Sequence, residues 1–112
     1  MSTMRNSVML IGRPGAEPEV KSFNNNKVAR FRLAVDERRM NANREWVNDT
    51  QRFTLVAWGK TADRVERYVK KGMQVAIDGS LHNNEWTDDK GQRHYNIEVW
   101  INDLFLIDKI KD

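Results

Sequence analysis

The sequence predicts an all-β domain: a small closed barrel of five strands, with one helix between the third and fourth strands and a long projecting hairpin made by the fourth and fifth. Three observations point there. Apolar residues alternate with a period of two in several segments, as in strands with one buried face. Only one segment, 61–71, has helical spacing together with end signals. Two alternating arms within 73–101 are separated by Asp88-Asp89-Lys90-Gly91, a run of turn formers.

The totals fit this picture. The 112 residues suit one domain, 1–112, long enough to bury a core without covalent staples. There are no cysteines, which rules out disulfides, thiolate metal sites and a cysteine nucleophile, and makes a reducing cytoplasm the simplest compartment. No apolar run approaches membrane-spanning length, and the opening MSTMRNSV lacks the apolar core of a secretion signal. The net charge of +3 is unevenly spread: residues 1–71 hold 15 Lys/Arg against 8 Asp/Glu, and residues 72–112 hold 4 against 8. A basic first part either attracts a polyanion or is simply a solvated surface.

Taken in order, Val8-Met9-Leu10-Ile11 is a compact apolar run closed by Gly12-Arg13-Pro14-Gly15, expected to be a strand with little exposed surface on either side. GRPG lacks the spacing and the Lys-Ser/Thr ending of a phosphate loop. Pro14 and Pro18 keep the next residues irregular, 19–23 continues as a short strand, and Asn24-Asn25-Asn26 turns the chain. Segment 27–36 is a clear strand. Ala29, Phe31, Leu33 and Val35 share one face, and Arg30 and Arg32 project from the other, either solvated or toward phosphate. Segment 37–48 reads as a polar loop, basic through Arg38, Arg39 and Arg44. Its Trp46 either starts the next strand as core, binds a base or meets a partner chain.

In 52–58, Phe53, Leu55 and Ala57 fill the interior, which leaves Arg52 and Trp58 outward on one sheet face. Guanidinium and indole side by side suit phosphates and bases, although Trp58 at a sheet edge or interface is the plainer alternative. Thr61 is placed to cap the helix, Asp63 suits its positive end, and Lys70 and Lys71 its negative end before Gly72. Ala62, Val65 and Val69 make one apolar side that plugs a barrel end. In the hairpin, Val75, Ile77, Gly79 and Leu81 answer Tyr95, Ile97, Val99 and Ile101, while 82–94 is too polar for core and stands away from the body. Trp86 on that arm either stacks a base, folds back on its own hairpin or packs on another subunit. Segment 102–112 finishes the last strand. Five strands with one helix after the third are the signature of an OB barrel.

Catalytic chemistry is poorly supplied. Serines 2, 7, 22 and 80 sit in no nucleophile elbow. His82 and His94 would face each other across the hairpin, but a third metal ligand is missing. Asp88 and Asp89 lack the second acidic cluster that a metal nuclease requires. No catalytic residue, metal or cofactor is expected.

Four pieces, RNSVMLIGRPGAEPEV, KVARFRLAVDE, LVAWGKTADRVERYVKKGMQVAIDGSL and EWTDDKGQRHYNIEV, together resemble the bacterial single-stranded DNA-binding proteins over nearly the whole chain. The resemblance implies an OB fold, sequence-tolerant binding of single-stranded DNA, usually a homotetramer, and a cytoplasmic, nucleoid-associated role in replication, recombination or repair. Trp58 and Trp86 match the family's base-stacking positions, and Lys60 and Lys71 match basic positions along the DNA path. Arg39 and Arg52 stand where the family usually has aromatics, which trades stacking for charge. Phe53 stands where a His often assists subunit association, so a dimer is the alternative to the tetramer, and segment 5–11 would pair with its mate across a dimer. The ending KIKD lacks the acidic peptide of many members. Recruitment of other proteins through such a tail is therefore not expected, which would suit a short paralogue or one carried by a mobile element.

The sequence thus leads to a non-enzymatic single-strand coat. Trp58 and Trp86 stack bases, with Trp46 a weaker candidate, and Arg30, Arg32, Arg39, Arg52, Lys60 and Lys71 hold phosphates. The alternatives are a primosome-type adaptor, an RNA binder, a module that only binds protein, and a nuclease on the same barrel.

Overall fold

A computed structural model describes residues 4–108. The strands are β1 (Val8–Pro14), β2 (Glu19–Phe23), β3 (Asn26–Met40), β4 (Trp46–Trp58), β5 (Val75–Thr87) and β6 (Arg93–Leu106), and helix α1 (Gly59–Tyr68) lies between β4 and β5. The sheet order is β1-β5-β6-β4-β3-β2, and β1 also pairs with β3. That extra pairing, at Arg13↔Ala34 and Pro14↔Leu33, closes a barrel of β1, β5, β6, β4 and β3. The short β2 is an added edge on β3. Five strands therefore make the barrel, and α1 follows the third of them, as the OB signature requires. No described helix is long and apolar enough to cross a membrane.

The core follows the alternation. Ala29, Phe31 and Leu33 from β3, Leu55 and Ala57 from β4, Val75 and Ile77 from β5, and Val99, Ile101 and Leu104 from β6 meet Ala62, Val65 and Val69 of the helical segment. The step from Ile101 to Leu104 breaks the period of two. A bulge at Asp78/Gly79 shifts the register so that Asp78 pairs with Asp103 and Gly79 with Ile101, which turns Leu104 inward. Gly79 is required there, because a Cβ would lie 2.4 Å from the Trp100 carbonyl oxygen.

Three expectations change. Segment 37–48 is no loop. β3 and β4 pair without interruption from Val28↔Trp58 to Met40↔Trp46, and only residues 41–45 turn. A two-stranded ribbon with water on both faces needs no apolar alternation, so its polar composition mimicked a loop. Asn41 closes the turn by accepting the backbone N–H groups of Asn43 and Glu45, with Arg44 at φ 61°. The protein thus extends two ribbons, 36–50 and 82–94.

The helix is also displaced. It runs Gly59–Tyr68, its N-cap is the extended Trp58, and no side chain caps it, so Thr61 lies inside the helix. Gly59, at φ 58°, makes the sharp entry that a side chain would oppose. Lys70 and Lys71 lie beyond the helix end. Finally, β1 buries only one face. Val8 and Leu10 pack on the core, whereas Met9 and Ile11 are exposed, 81% and 54%. An apolar run alone does not distinguish a strand covered on both faces from one whose second face is left bare in a single chain. The KIKD ending lies outside the described residues.

Candidate nucleic-acid interface

The outward phase of the barrel carries a row of planar groups across four strands. The register sets Arg30 opposite Val56, Val56 beside Trp100, Trp100 opposite Ser80, and His82 opposite Glu98. His82 lies flat against Trp100, with ring centroids 3.9 Å apart and planes 8° from parallel. Trp58 meets Trp100 at 5.6 Å, tilted by 57°. Glu98 is almost fully buried at 3% exposure, and it is held by an ion pair with Arg30. The Trp100 indole N–H donates to its other oxygen at 3.4 Å. Val56 shares this outward phase, yet it is buried between Arg30 and Trp100. The Trp58 indole ring is half-buried, and its N–H is buried with no acceptor among the described residues.

The β5–β6 ribbon continues the same side toward its tip: His82, Asn84 and Trp86 on one strand, Glu98, Asn96 and His94 on the other. Trp86 is half exposed and stacks on His94 at 5.3 Å and 20°. His94 Nε2 lies 2.8 Å from Asp88 Oδ2, while Asp88 Oδ1 accepts the backbone N–H groups of Lys90 and Gln92 at 2.9 Å. One turn carboxylate therefore fixes the loop and the ring beneath the indole. His82 and His94 do not face each other, since His82 pairs with Glu98 and His94 with Trp86.

The contact with His94, followed by the N–H groups of Gln92 and Lys90, holds the Asp88 carboxyl below its ordinary value. A group depressed in this way favours the ordered tip above its ordinary value and loses that contribution as pH falls through the depressed one. In an NMR titration, loss of the Asp88 charge as pH falls below the ordinary carboxylate range should move the Gln92 and Lys90 amide resonances toward unstructured positions. In Asp88→Asn they should be displaced already at neutral pH. Amides insensitive to both changes would contradict this account of the tip.

On the β3–β4 ribbon, strict alternation puts Arg32, Arg38, Arg52 and Trp46 on the side that carries Arg30 and Trp58. The Arg38 guanidinium lies over Trp46, 5.5 Å from the ring centre, and the indole is 60% exposed. Trp46 therefore opens β4 as an exposed ring rather than as core. Arg39 falls in the opposite phase and pairs with Asp49 at 3.3 Å. The structure gathers Trp58, Trp46, Arg30, Arg32 and Arg52 on one ribbon side, while Trp86 lies on the second ribbon. Lys60 is exposed at the start of α1, near Lys27, which is neutralised by Asp63 at 2.7 Å and Glu66 at 2.8 Å. Lys71 lies in the α1–β5 connection, whose backbone is tied to Glu17 and Pro14. Arg32, Arg52, Lys60 and Lys71 form no ion pair with a described carboxylate.

Sequence reasoning missed three members of this surface, Trp100, His82 as a ring partner, and Arg38. Phase would have found the first: Val99 and Ile101 point inward, so Trp100 between them points outward, on the side of Trp58.

A closed five-stranded OB barrel with outward indoles on two extended ribbons, and with guanidinium groups on β3 and β4 that form no ion pair with a described carboxylate, defines a nucleic-acid-binding module of the OB class. The chain belongs to the Single-strand binding protein family, whose model matches residues 5–107. It is 36% identical over 104 residues to Single-stranded DNA-binding protein 1 of Chlorobaculum tepidum, covering 91% of this chain and 64% of that relative. It is 38% identical over 111 residues to Single-stranded DNA-binding protein 1 of Synechocystis sp., covering 96% of this chain and 87% of the relative. The chain thus spans just under two thirds of the first relative's length and most of the second's. Among solved structures, a Plasmodium falciparum SSB complex with ssDNA superposes with a TM-score of 0.85 at 32% identity, covering 96% of this chain and 99% of that one.

Proposed function

We propose that this protein binds single-stranded DNA with little regard to sequence, as a non-catalytic coat in replication, recombination or repair in the nucleoid. The observation that carries the reading is the outward phase: Trp58, Trp86 and Trp46 are presented on the water side of a barrel whose opposite side is the core. Every base has a face to stack, so such rings bind unpaired bases in any order, at ~1–3 kcal/mol per base. Arg32, Arg52, Lys60 and Lys71 supply phosphate contacts, with Arg39 shared with Asp49. Arg30 is the least available of the cations, because Glu98 already neutralises it. Duplex DNA hides its base faces and satisfies only the cations. Filter binding with equal lengths of oligo(dT), duplex and oligo(U) tests this: oligo(dT) should be retained at the lowest protein concentration and duplex barely at all. Equal retention of single strand and duplex would reject it, and preference for oligo(U) would favour an RNA-binding role.

Salt dependence separates the cations. Each phosphate neutralised on a single strand contributes about −0.7 to the slope of log affinity against log salt. Arg52→Met should flatten the slope by about that amount. Arg30→Met should leave the slope nearly unchanged while lowering the melting temperature, because it strands Glu98. Equal flattening by both would show that Arg30 leaves Glu98 for phosphate.

We further propose self-association, as a tetramer or a dimer. The exposed Met9 and Ile11 sit on a strand that pairs with β3 only through its last two residues, Arg13 with Ala34 and Pro14 with Leu33. That leaves the stretch from Val8 to Ile11 open to pair with a second copy.

A further inference from the structure

We infer that His82 and Trp100 form an additional stacking platform for a nucleobase, continuous with Trp58 and positioned by Glu98. The inference deepens the single-strand-binding reading and rests on it. Three features carry it. The two rings are parallel and in van der Waals contact, and both keep part of their surface in water. They lie in the outward phase, outside the core cluster of the barrel. With Trp58 they make a row of rings across β5, β6 and β4 at the root of the projecting hairpin.

The row is also built rather than merely tolerated. Glu98 is a carboxylate taken almost wholly out of water on the outer side of the sheet. Burial of a charge is costly unless it is paired, and Glu98 is paired on both oxygens, by Arg30 and by the Trp100 N–H. It holds the Trp100 indole by its N–H edge while His82 covers one face of the ring, and the Ser80 hydroxyl lies 3.1 Å from His82 Nε2. The Trp58 N–H, by contrast, has no acceptor among the described residues. Buried indole N–H groups normally find a partner, so a cluster serving packing alone would be expected to satisfy this one. Flat rings, held at fixed tilt and left partly bare, suit a flat π ligand. From His82 to Trp86 the strand advances about 13 Å on one side. The rings therefore link the Trp58 region to the hairpin tip along one path for a single strand.

The test uses the whole chain and oligo(dT) carrying one photoreactive 5-iodouracil at successive positions. Irradiated complexes are digested, and the adducts are located by mass spectrometry. The expected result is adducts at Trp100 or His82 in addition to those at Trp58 and Trp86. In parallel, His82→Ala should weaken oligo(dT) binding by about 5-fold or more, in line with loss of one stacked ring. His82→Phe, which keeps a ring but loses the contact with Ser80, should recover most of the affinity. Melting temperatures within a few degrees of the parent confirm that both variants fold. Adducts confined to Trp58 and Trp86, with His82→Ala binding as tightly as the parent, would overturn the inference and leave the single-strand reading standing. Failure of the parent protein to bind oligo(dT) at all would remove that reading and this inference together.

Discussion

Replacing Trp58 and Trp86 together by alanine is expected to cost about 2–6 kcal/mol of oligo(dT) affinity, a weakening of about 30-fold or more. On the proposed function the two rings serve different stretches of the strand path, Trp58 on the barrel face and Trp86 near the tip of the β5–β6 ribbon. Each loses a separate base contact, while phosphate attraction through Arg32, Arg52 and Lys60 survives. The residual binding should therefore be more salt-sensitive in proportion. The paired Phe variant keeps a π face at each position and should bind within a few fold of the parent. Trp58 also packs on Trp100, so its removal lowers stability. Trp86 stands on a solvent-exposed ribbon, and Trp86→Ala alone should retain the parental melting temperature and still bind less tightly. Fluorescence anisotropy of a labelled oligo(dT) reads all four proteins. A double-alanine variant that binds within twofold of the parent would show that the indoles are not the stacking groups.

The second large effect concerns the barrel itself. Gly12→Val is expected to destabilise the fold by ~3 kcal/mol or more, near the upper range for overpacking. β1 crosses from β5 to β3 at this residue, and the barrel closes on Arg13↔Ala34 and Pro14↔Leu33 immediately after it. A Cβ at Gly12 would lie 2.3 Å from the Ala34 carbonyl oxygen and 3.1 Å from Leu33 Cγ. The first of these is backbone within the β3 ladder and has no rotamer by which to withdraw. Relief requires β1 to leave β3, which opens the barrel. For a domain of this size the loss corresponds to a melting-temperature drop of roughly 10 °C or more. Gly15→Ala is the matched control, because no atom lies within 4 Å of a Cβ built there. It should melt within a degree or two of the parent. A Gly12→Val protein as stable as this control would contradict the closure described.

These two effects mark what the sequence made legible. The barrel was readable because one face of each strand is core: Ala29, Phe31 and Leu33, or Val75 and Ile77, repeat every second residue with nothing to blur them. The one helix was readable from Ala62, Val65 and Val69, but its start was not. Trp58 is an N-cap without a capping side chain, and Gly59 turns the chain by backbone freedom instead, so Thr61 offered a false signal. The β3–β4 ribbon was hidden for a different reason. Between Asp36 and Thr50 neither face is buried, and a hydrogen-bonded pair such as Thr50 with Asp36, 2.8 Å apart, leaves no mark in composition. Without that ribbon, Arg38 and Arg39 were indistinguishable. With it, alternation sends Arg38 to the indole side and Arg39 to Asp49.

The same rule separates the legible from the illegible in the outward-facing surface. Trp58 and Trp86 could be named because their neighbours are polar or their phase was explicit. Trp100 lies between two core residues and was absorbed into the last strand, although its phase is opposite to theirs. Arg30 looked identical to Arg32 in sequence, two places apart on one face. What distinguishes them is Glu98, 68 residues away, which reaches Arg30 only because β6 lies beside β4 in parallel. Contacts of that kind depend on closure of the barrel, and periodicity along one strand does not encode them.

The most direct test of outward-presented indoles as a base-stacking surface is a titration of the intact protein with poly(dT), following tryptophan fluorescence, beside the same titration with duplex of equal nucleotide content. Stacked bases should quench the emission deeply, to a sharp endpoint that gives the nucleotides covered per chain, while duplex leaves the emission nearly unchanged. Tight binding of poly(dT) with unquenched tryptophans, or equal quenching by both polymers, would contradict the account.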